Sequence, residues 1–217
     1  TETGKDVIQS MTIRLSDGEV LYWPLEFSGG GTILMSRDLV ARHPRWIDLG
    51  YCRCPGCSLA SDEHATCPAA EIIAQYAGDL SDRASFEQAE VTILQADGRE
   101  TRLTGVPLQR VAGELVRFAV FQSSCPVGRK VKAAMTRLPP FPKNQEILQA
   151  FAVFFALHQD EDEADRDRFL ERLHELFDYL ARRLEGTGTG DAYLNGLVIL
   201  DSLSLLFALT APELVQD

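Results

Sequence analysis

The 217-residue sequence predicts an α+β fold in which antiparallel strands and helices occupy separate stretches. Three observations carry that prediction. Asp17-Gly18 and Asp97-Gly98 each sit between alternating apolar residues, which is how a β-hairpin reads. From Pro107 onward, apolar residues recur at helical spacing. Four of the five cysteines crowd between positions 52 and 67, in a segment with neither period. The expected architecture is two antiparallel β-hairpins packed on helices around a cysteine metal site, followed by a C-terminal helical hairpin. The division expected is a domain over 11–158 and the helical pair over 163–212.

The first hairpin spans 11–27. Met11, Ile13 and Leu15 alternate with Thr12 and Arg14, and Leu21, Trp23, Leu25 and Phe27 alternate on the return. Pro24 has no N–H to donate, which places the second strand at an edge or a bulge. Gly29-Gly30-Gly31 is followed by Thr32-Ile33 rather than Lys-Ser/Thr, so it is a turn and not a phosphate loop. A short helix is expected at 36–42, the cysteine loop over 51–67, and a helix from Pro68 with Ile72, Ile73 and Tyr76 on one face. The second hairpin covers about 90–104. A helix begins at Pro107, where the missing N–H costs nothing, and buries Leu108, Val111, Leu115, Phe118 and Phe121. A basic helix after Cys125-Pro126 stops at Leu138-Pro-Pro-Phe141-Pro142. Apolar helices are expected at about 144–158, 163–185 and 191–209, with an acidic connector over 159–168.

Composition excludes several functions. Hydrophobic residues form 45% of the chain, too many for disorder. With 21 basic and 32 acidic side chains the net charge is -11, so no general nucleic-acid or anionic-membrane binding is expected. The first residues are polar and lack the apolar core of a signal peptide. The longest apolar stretch, Leu194 to Leu209, is interrupted by Asn195, Asp201, Ser202 and Ser204 and is too short for a membrane span. A cytoplasmic protein is expected, in which cysteines stay reduced and a cluster of them reads as metal or redox chemistry.

Cys54-Pro55-Gly56-Cys57 lets two thiolates grip one ion across a tight turn. Cys67 and Cys125 each precede a proline expected to open a helix, where free N–H groups and the positive helix end stabilise a thiolate. Cys54, Cys57, Cys67 and Cys125 together make a four-sulfur site of the kind that holds structural Zn²⁺. A rival set replaces Cys125 with Cys52, and His64 could replace one sulfur in either. An iron–sulfur cluster is the alternative occupant. Four thiolates around Zn²⁺ carry a formal charge of -2, which Arg53, Arg129, Lys130 and Lys132 could offset.

Catalysis is not expected. No His-Glu-x-x-His occurs, and the deaminase pattern fails because Arg53 stands where its Pro would be. His43, His158 and His174 are isolated. No nucleophile elbow, dinucleotide fingerprint or Walker loop is present.

Over residues 11–158 the chain resembles a family of uncharacterised bacterial proteins, a domain of unknown function. The resemblance rests on Ser16-Asp17-Gly18, Pro44-Arg45-Trp46, Cys54-Pro-Gly-Cys57-Ser-Leu59, Cys67-Pro-Ala-Ala70, Ser85-Phe86-Glu87, Ser123-Ser-Cys125-Pro126 and Leu138-Pro-Pro-Phe141. It implies Cys54, Cys57, Cys67 and Cys125 as the matching cysteines and makes Cys52 an extra. Ser124 departs from the pattern, which has Gly there. The expected function is a non-enzymatic, zinc-stabilised binding or regulatory module, with a protein partner or a second copy meeting the C-terminal helices. Redox or iron–sulfur sensing through the same cysteines is the second reading, and an enzyme with an unrecognised site the third.

Overall fold

The computed structural model describes residues 8–28, 31–34, 44–157, 163–185, 187 and 190–214. The short helix expected at 36–42, His43, His158 and the first part of the acidic connector lie outside the described residues. The fold is α+β, with an antiparallel sheet and six α-helices among the described residues, the last two forming a C-terminal pair.

Both Asp-Gly hairpins form. The first pairs β1 (Ile8–Leu15) with β2 (Val20–Pro24), and the second pairs β5 (Gln88–Gln95) with β6 (Glu100–Pro107). Gly18 and Gly98 sit at φ +93° and +83°, where only a residue without a β-carbon is comfortable. The hairpins join side by side into one four-stranded sheet, order β2-β1-β5-β6, with Ile13 opposite Val91 and Met11 opposite Ile93. Pro24 ends β2, the sheet's edge strand. A second small ribbon, β3 (Glu26–Phe27) with β4 (Ile33–Leu34), extends the first hairpin's return.

The alternating residues Met11, Ile13, Leu15, Ala89, Val91 and Ile93 put one face of the sheet into the core. On the edge strand, buried Trp23 donates its indole N–H to Asp79 at 2.8 Å and packs on Tyr76, ring centroids 5.0 Å apart.

Helix α2 (Leu108–Phe121) runs through the middle of the molecule and is buried on nearly every face, so that even Glu114 and Arg117 are enclosed. It packs against α1 (Pro68–Ala74) on one side and α6 (Asp191–Leu214) on another. The basic segment after Cys125 forms a 3-10 turn, Gly128–Val131, and then one α-turn, α3 (Lys132–Met135), rather than a single helix. Gly128 explains the tight turn, since a β-carbon there would collide with the Val120 carbonyl. Helix α4 (Asn144–Ala156) starts where Glu146 reaches back to the Lys143 N–H at 2.6 Å. Helix α5 (Glu163–Leu184) completes the set.

The aromatic side chains knit the helices together. Phe121 meets Phe151 and Phe177 edge-on at 6.0 and 6.2 Å, and Phe207 stacks on Phe155 at 5.2 Å. One buried cluster therefore takes in strands, α2, α4, α5 and α6 on both sides of the segment around residue 160.

Candidate functional site

The cysteine loop is closed at its base by backbone pairing. The Leu49 N–H donates to Ala65 C=O and the Cys67 N–H to Ile47 C=O, both at 2.8 Å, and Asp48 bridges Thr66. Inside the loop, the Cys57 N–H returns to Cys54 C=O at 3.1 Å, the tight turn that Pro55-Gly56 predicts. Cys52 stands at φ +46°, a left-handed conformation uncommon for a residue with a side chain. Arg53 braces the loop from within, its guanidinium donating to the carbonyls of Cys57 at 3.1 Å and Leu59 at 2.5 Å.

Cys67 is the N-cap of α1, with Pro68 in the first turn. No cap hydrogen bond of full geometry forms to its sulfur, yet the N–H groups of Ala69 and Ala70 are close enough to draw its pKa down. Burial outweighs them, so the thiol stays raised. Cys125 is buried after α2, its N–H held by Ser123 Oγ at 3.1 Å. The amides of Gly128 and Val127 act on it as those of Ala69 and Ala70 act on Cys67.

The fold brings four of these thiols within electrostatic reach of one another. Burial first, and then the neighbouring sulfurs of Cys125, Cys57 and Cys67, push the Cys54 thiol up to about 12. Burial first also raises Cys125 to about 11, opposed by the two amides, with Cys67 and Cys57 adding to the rise. Cys52 lines a small cleft with Cys54, Cys57 and Cys67 but is not among the groups that shift any of them. His64 lies exposed in the adjoining turn, its N–H on Ala60 C=O at 2.9 Å.

Among the described residues, no group of three or more His, Cys, Asp or Glu side chains is placed so that it could hold a metal ion, so the cysteine metal site expected at the centre of the fold is not shown. What surrounds the four sulfurs is a pair of amides at Cys67, a pair at Cys125, and one buried cation.

That cation is Arg183, which sequence reasoning missed. It is 2% exposed, in the last turn of α5. Its Nη1 donates to the carbonyls of Trp46 at 2.6 Å and Asp48 at 2.8 Å, and its Nη2 to Leu49 at 3.3 Å. Its charge opposes the rise of Cys67. Of the cations expected to offset thiolate charge, Arg53 braces the loop, Lys130 lies over the Phe169 ring at 5.6 Å, and Lys132 bonds the Thr32 hydroxyl. A signal for Arg183 did exist. It lies three and seven residues after Leu180 and Leu176, on the apolar stripe of α5.

The same helix covers the cysteine turn. A β-carbon at Gly56 would lie 3.2 Å from Arg172 Cγ, and Leu176, Tyr179 and Leu180 wall the cleft beside Cys54 and Cys57. His174, isolated in sequence, joins α5 to α6 through Asp201 Oδ1 at 2.8 Å.

No helix of the described residues is long and apolar enough to cross a membrane. No curated protein and no solved structure matches the chain. A family model, the domain of unknown function DUF6901, matches residues 10–217 and so runs on through the two C-terminal helices.

Proposed function

The chain belongs to the DUF6901 family, a domain of unknown function, and we propose that its Cys54, Cys57, Cys67 and Cys125 hold one structural zinc ion in a non-enzymatic binding module. The observation that carries this reading is the mutual influence of those four thiols, in which Cys52 and His64 take no part. A bound Zn²⁺ would supply a closed four-sulfur cross-link. The residues present would then tie the loop turn, the start of α1 and the segment after α2 to one point. The amides of Ala69, Ala70, Val127 and Gly128 and the guanidinium of Arg183 are placed to offset part of the charge of -2 that four thiolates leave around such an ion. Four sulfur ligands would leave no open position on such an ion, which suits structure rather than turnover.

The binding half of the reading rests on α6. Val198, Ile199 and Leu205 are exposed there, beside Ser202 on the same helix.

Metal analysis of the purified full-length chain tests the site. One zinc per chain, lost with Cys125→Ser and kept with Cys52→Ser, is the expected result. Full zinc in Cys125→Ser would refute the ligand set. Visible absorption that bleaches on reduction would replace zinc by an iron–sulfur cluster. Sedimentation of the same chain, with Val198→Asp as the variant, tests the α6 face. A monomer at all concentrations that retains no partner would remove that half of the proposal.

A further inference from the structure

Helix α2, α6 and the segment from Phe141 into α4 line a half-open cavity of about 220 Å³. We propose that this cavity binds a small monocarboxylate with an apolar body, its carboxylate directed to Arg117 and Arg110. Nothing in this proposal depends on the cysteine site.

The walls are apolar, with Phe141, Ile147, Ile199 and Leu200 among them. Since one water occupies about 30 Å³, the space suits a guest of roughly seven to ten non-hydrogen atoms. A nucleotide or a large phosphorylated ligand does not fit.

The floor is charged. Arg117 grips Glu114 with two hydrogen bonds, Nε to Oε2 at 2.9 Å and Nη2 to Oε1 at 2.7 Å. Both side chains are nearly sealed, 2% and 3% exposed. Packing does not ask for such a pair, because apolar residues of the same volume would serve stability as well or better. Arg117 also donates from Nη1 to Met135 C=O at 3.1 Å. Three of the five guanidinium N–H bonds are then used, and two remain for an acceptor.

One wall is strained and held by these charges. Phe141 stands at φ +54°, a left-handed conformation that an aromatic residue rarely adopts. Its N–H donates to Glu114 Oε1 at 3.1 Å, and its C=O accepts from Arg110 Nη2 at 2.9 Å. The buried carboxylate and the guanidinium at the mouth thus hold the same residue by the peptide groups on its two sides. The Phe141 ring, itself part of the buried core, lines the cavity on that side.

The sign of charge selects the ligand. Arg110 and Arg117 face one carboxylate, Glu114, which leaves a surplus positive charge in a chain whose net charge is -11. A cationic amine would meet two guanidiniums. A neutral alcohol would gain the walls but not the charge-assisted hydrogen bonds, which are about twice as strong as neutral ones.

Titration calorimetry on the full-length chain, with hexanoate and phenylacetate as probes and hexanol and hexylamine as controls, tests the proposal. The carboxylates are expected to bind, hexanol at least tenfold more weakly, and hexylamine not at all. Arg110 is exposed, so Arg110→Ala should fold normally and weaken hexanoate about tenfold. Arg102→Ala, on exposed β6 away from the cavity, should leave binding unchanged. Ile199→Trp fills the mouth and should abolish binding without lowering the melting temperature. Absence of carboxylate binding, equal affinity for hexanol, or undiminished binding in Ile199→Trp would each overturn the proposal.

Discussion

Gly113 and Gly196 face each other where α2 crosses α6, and adding one methyl to each should have opposite consequences. A β-carbon at Gly196 would lie 2.7 Å from Gly113 N, 2.8 Å from Gly113 Cα and 3.2 Å from Gln109 C=O. These are backbone atoms of a buried helix and cannot swing aside. The first two distances fall roughly half an ångström or more short of contact, so the helices must separate. A β-carbon at Gly113 would lie 3.4 Å from Gly196 Cα and 3.8 Å from Gly196 C=O, which is contact without overlap. Both positions are helical, so alanine gains about 0.8–1 kcal/mol of intrinsic preference at either. Against that gain, overpacking at Gly196 costs typically 1–3 kcal/mol, and more when the neighbours are backbone. Gly196→Ala should therefore lose about 2 kcal/mol net, and Gly113→Ala should gain about 0.5 kcal/mol. In a chain of this length 1 kcal/mol moves the melting temperature by about 2–4 °C. Calorimetric melting of the full chain should show Gly196→Ala lower by roughly 4–8 °C and Gly113→Ala level or slightly higher. Equal shifts for the two variants would mean that the α2–α6 crossing is looser than the structure shows.

Three further outcomes follow from the same packing. Arg183→Met removes the guanidinium from three carbonyls and should cost about 3–5 kcal/mol in urea unfolding, since the acceptors are left buried; a loss below 1 kcal/mol would mean that water replaces the clamp. In the metal-free protein Cys54 and Cys125 keep their protons up to about 12 and about 11, whereas in the unfolded chain they lose them near 9. The folded state then holds more protons between pH 9 and 11, so stability should fall as pH rises through that range, and fall less in Cys54→Ser; a urea midpoint that changes equally in both would refute this. A chain ended near residue 160 loses Leu173, Leu176, Phe177, Leu197, Leu200 and Phe207 from the buried cluster, and should give a broad, weakly cooperative melt; a sharp melt with retained zinc would show that the first 160 residues stand alone.

The sequence made the hairpins legible because Asp-Gly with flanking alternation is a local device, complete within about fifteen residues. It did not show that β1 pairs with β5, since that contact joins residues about 80 positions apart and depends on matching apolar faces. The spacing that grouped Cys54 with Cys57 is equally local. The approach of Cys67 and Cys125 depended on reading Cys-Pro as a helix start, which held fully at Pro68 and only as a turn at Pro126. Arg182 and Arg183 show what composition hides. The first pairs with Asp178 at the surface, while its neighbour is sealed against three carbonyls. Only the phase of the helix separates them. Glu114 and Arg117, charged residues sealed inside α2, are a second case.

This phase argument bears on how the two halves of the chain relate. A buried charge needs partners, either an acid on its own helix, as Arg117 finds in Glu114, or acceptors on another element, because its own helix has already used its carbonyls. Arg183 finds them in the loop of Trp46, Asp48 and Leu49, and Arg172 of the same helix fills the space that Gly56 leaves open. Tyr193 of α6 donates to Tyr76 C=O at 3.0 Å, and Asp191 accepts from Ser85 N–H at 2.9 Å. Each of these contacts runs from the last third of the chain to its first half. A change in the cysteine loop must then be felt at α5, since the carbonyls that Arg183 holds and the turn that Arg172 covers belong to that loop. Loss of an ion from the four thiols would loosen the loop that satisfies a buried guanidinium, so its cost reaches past the loop to the seat of α5. The cysteine loop and α5 are in that sense held together, through Arg183 on three loop carbonyls and Arg172 over Gly56.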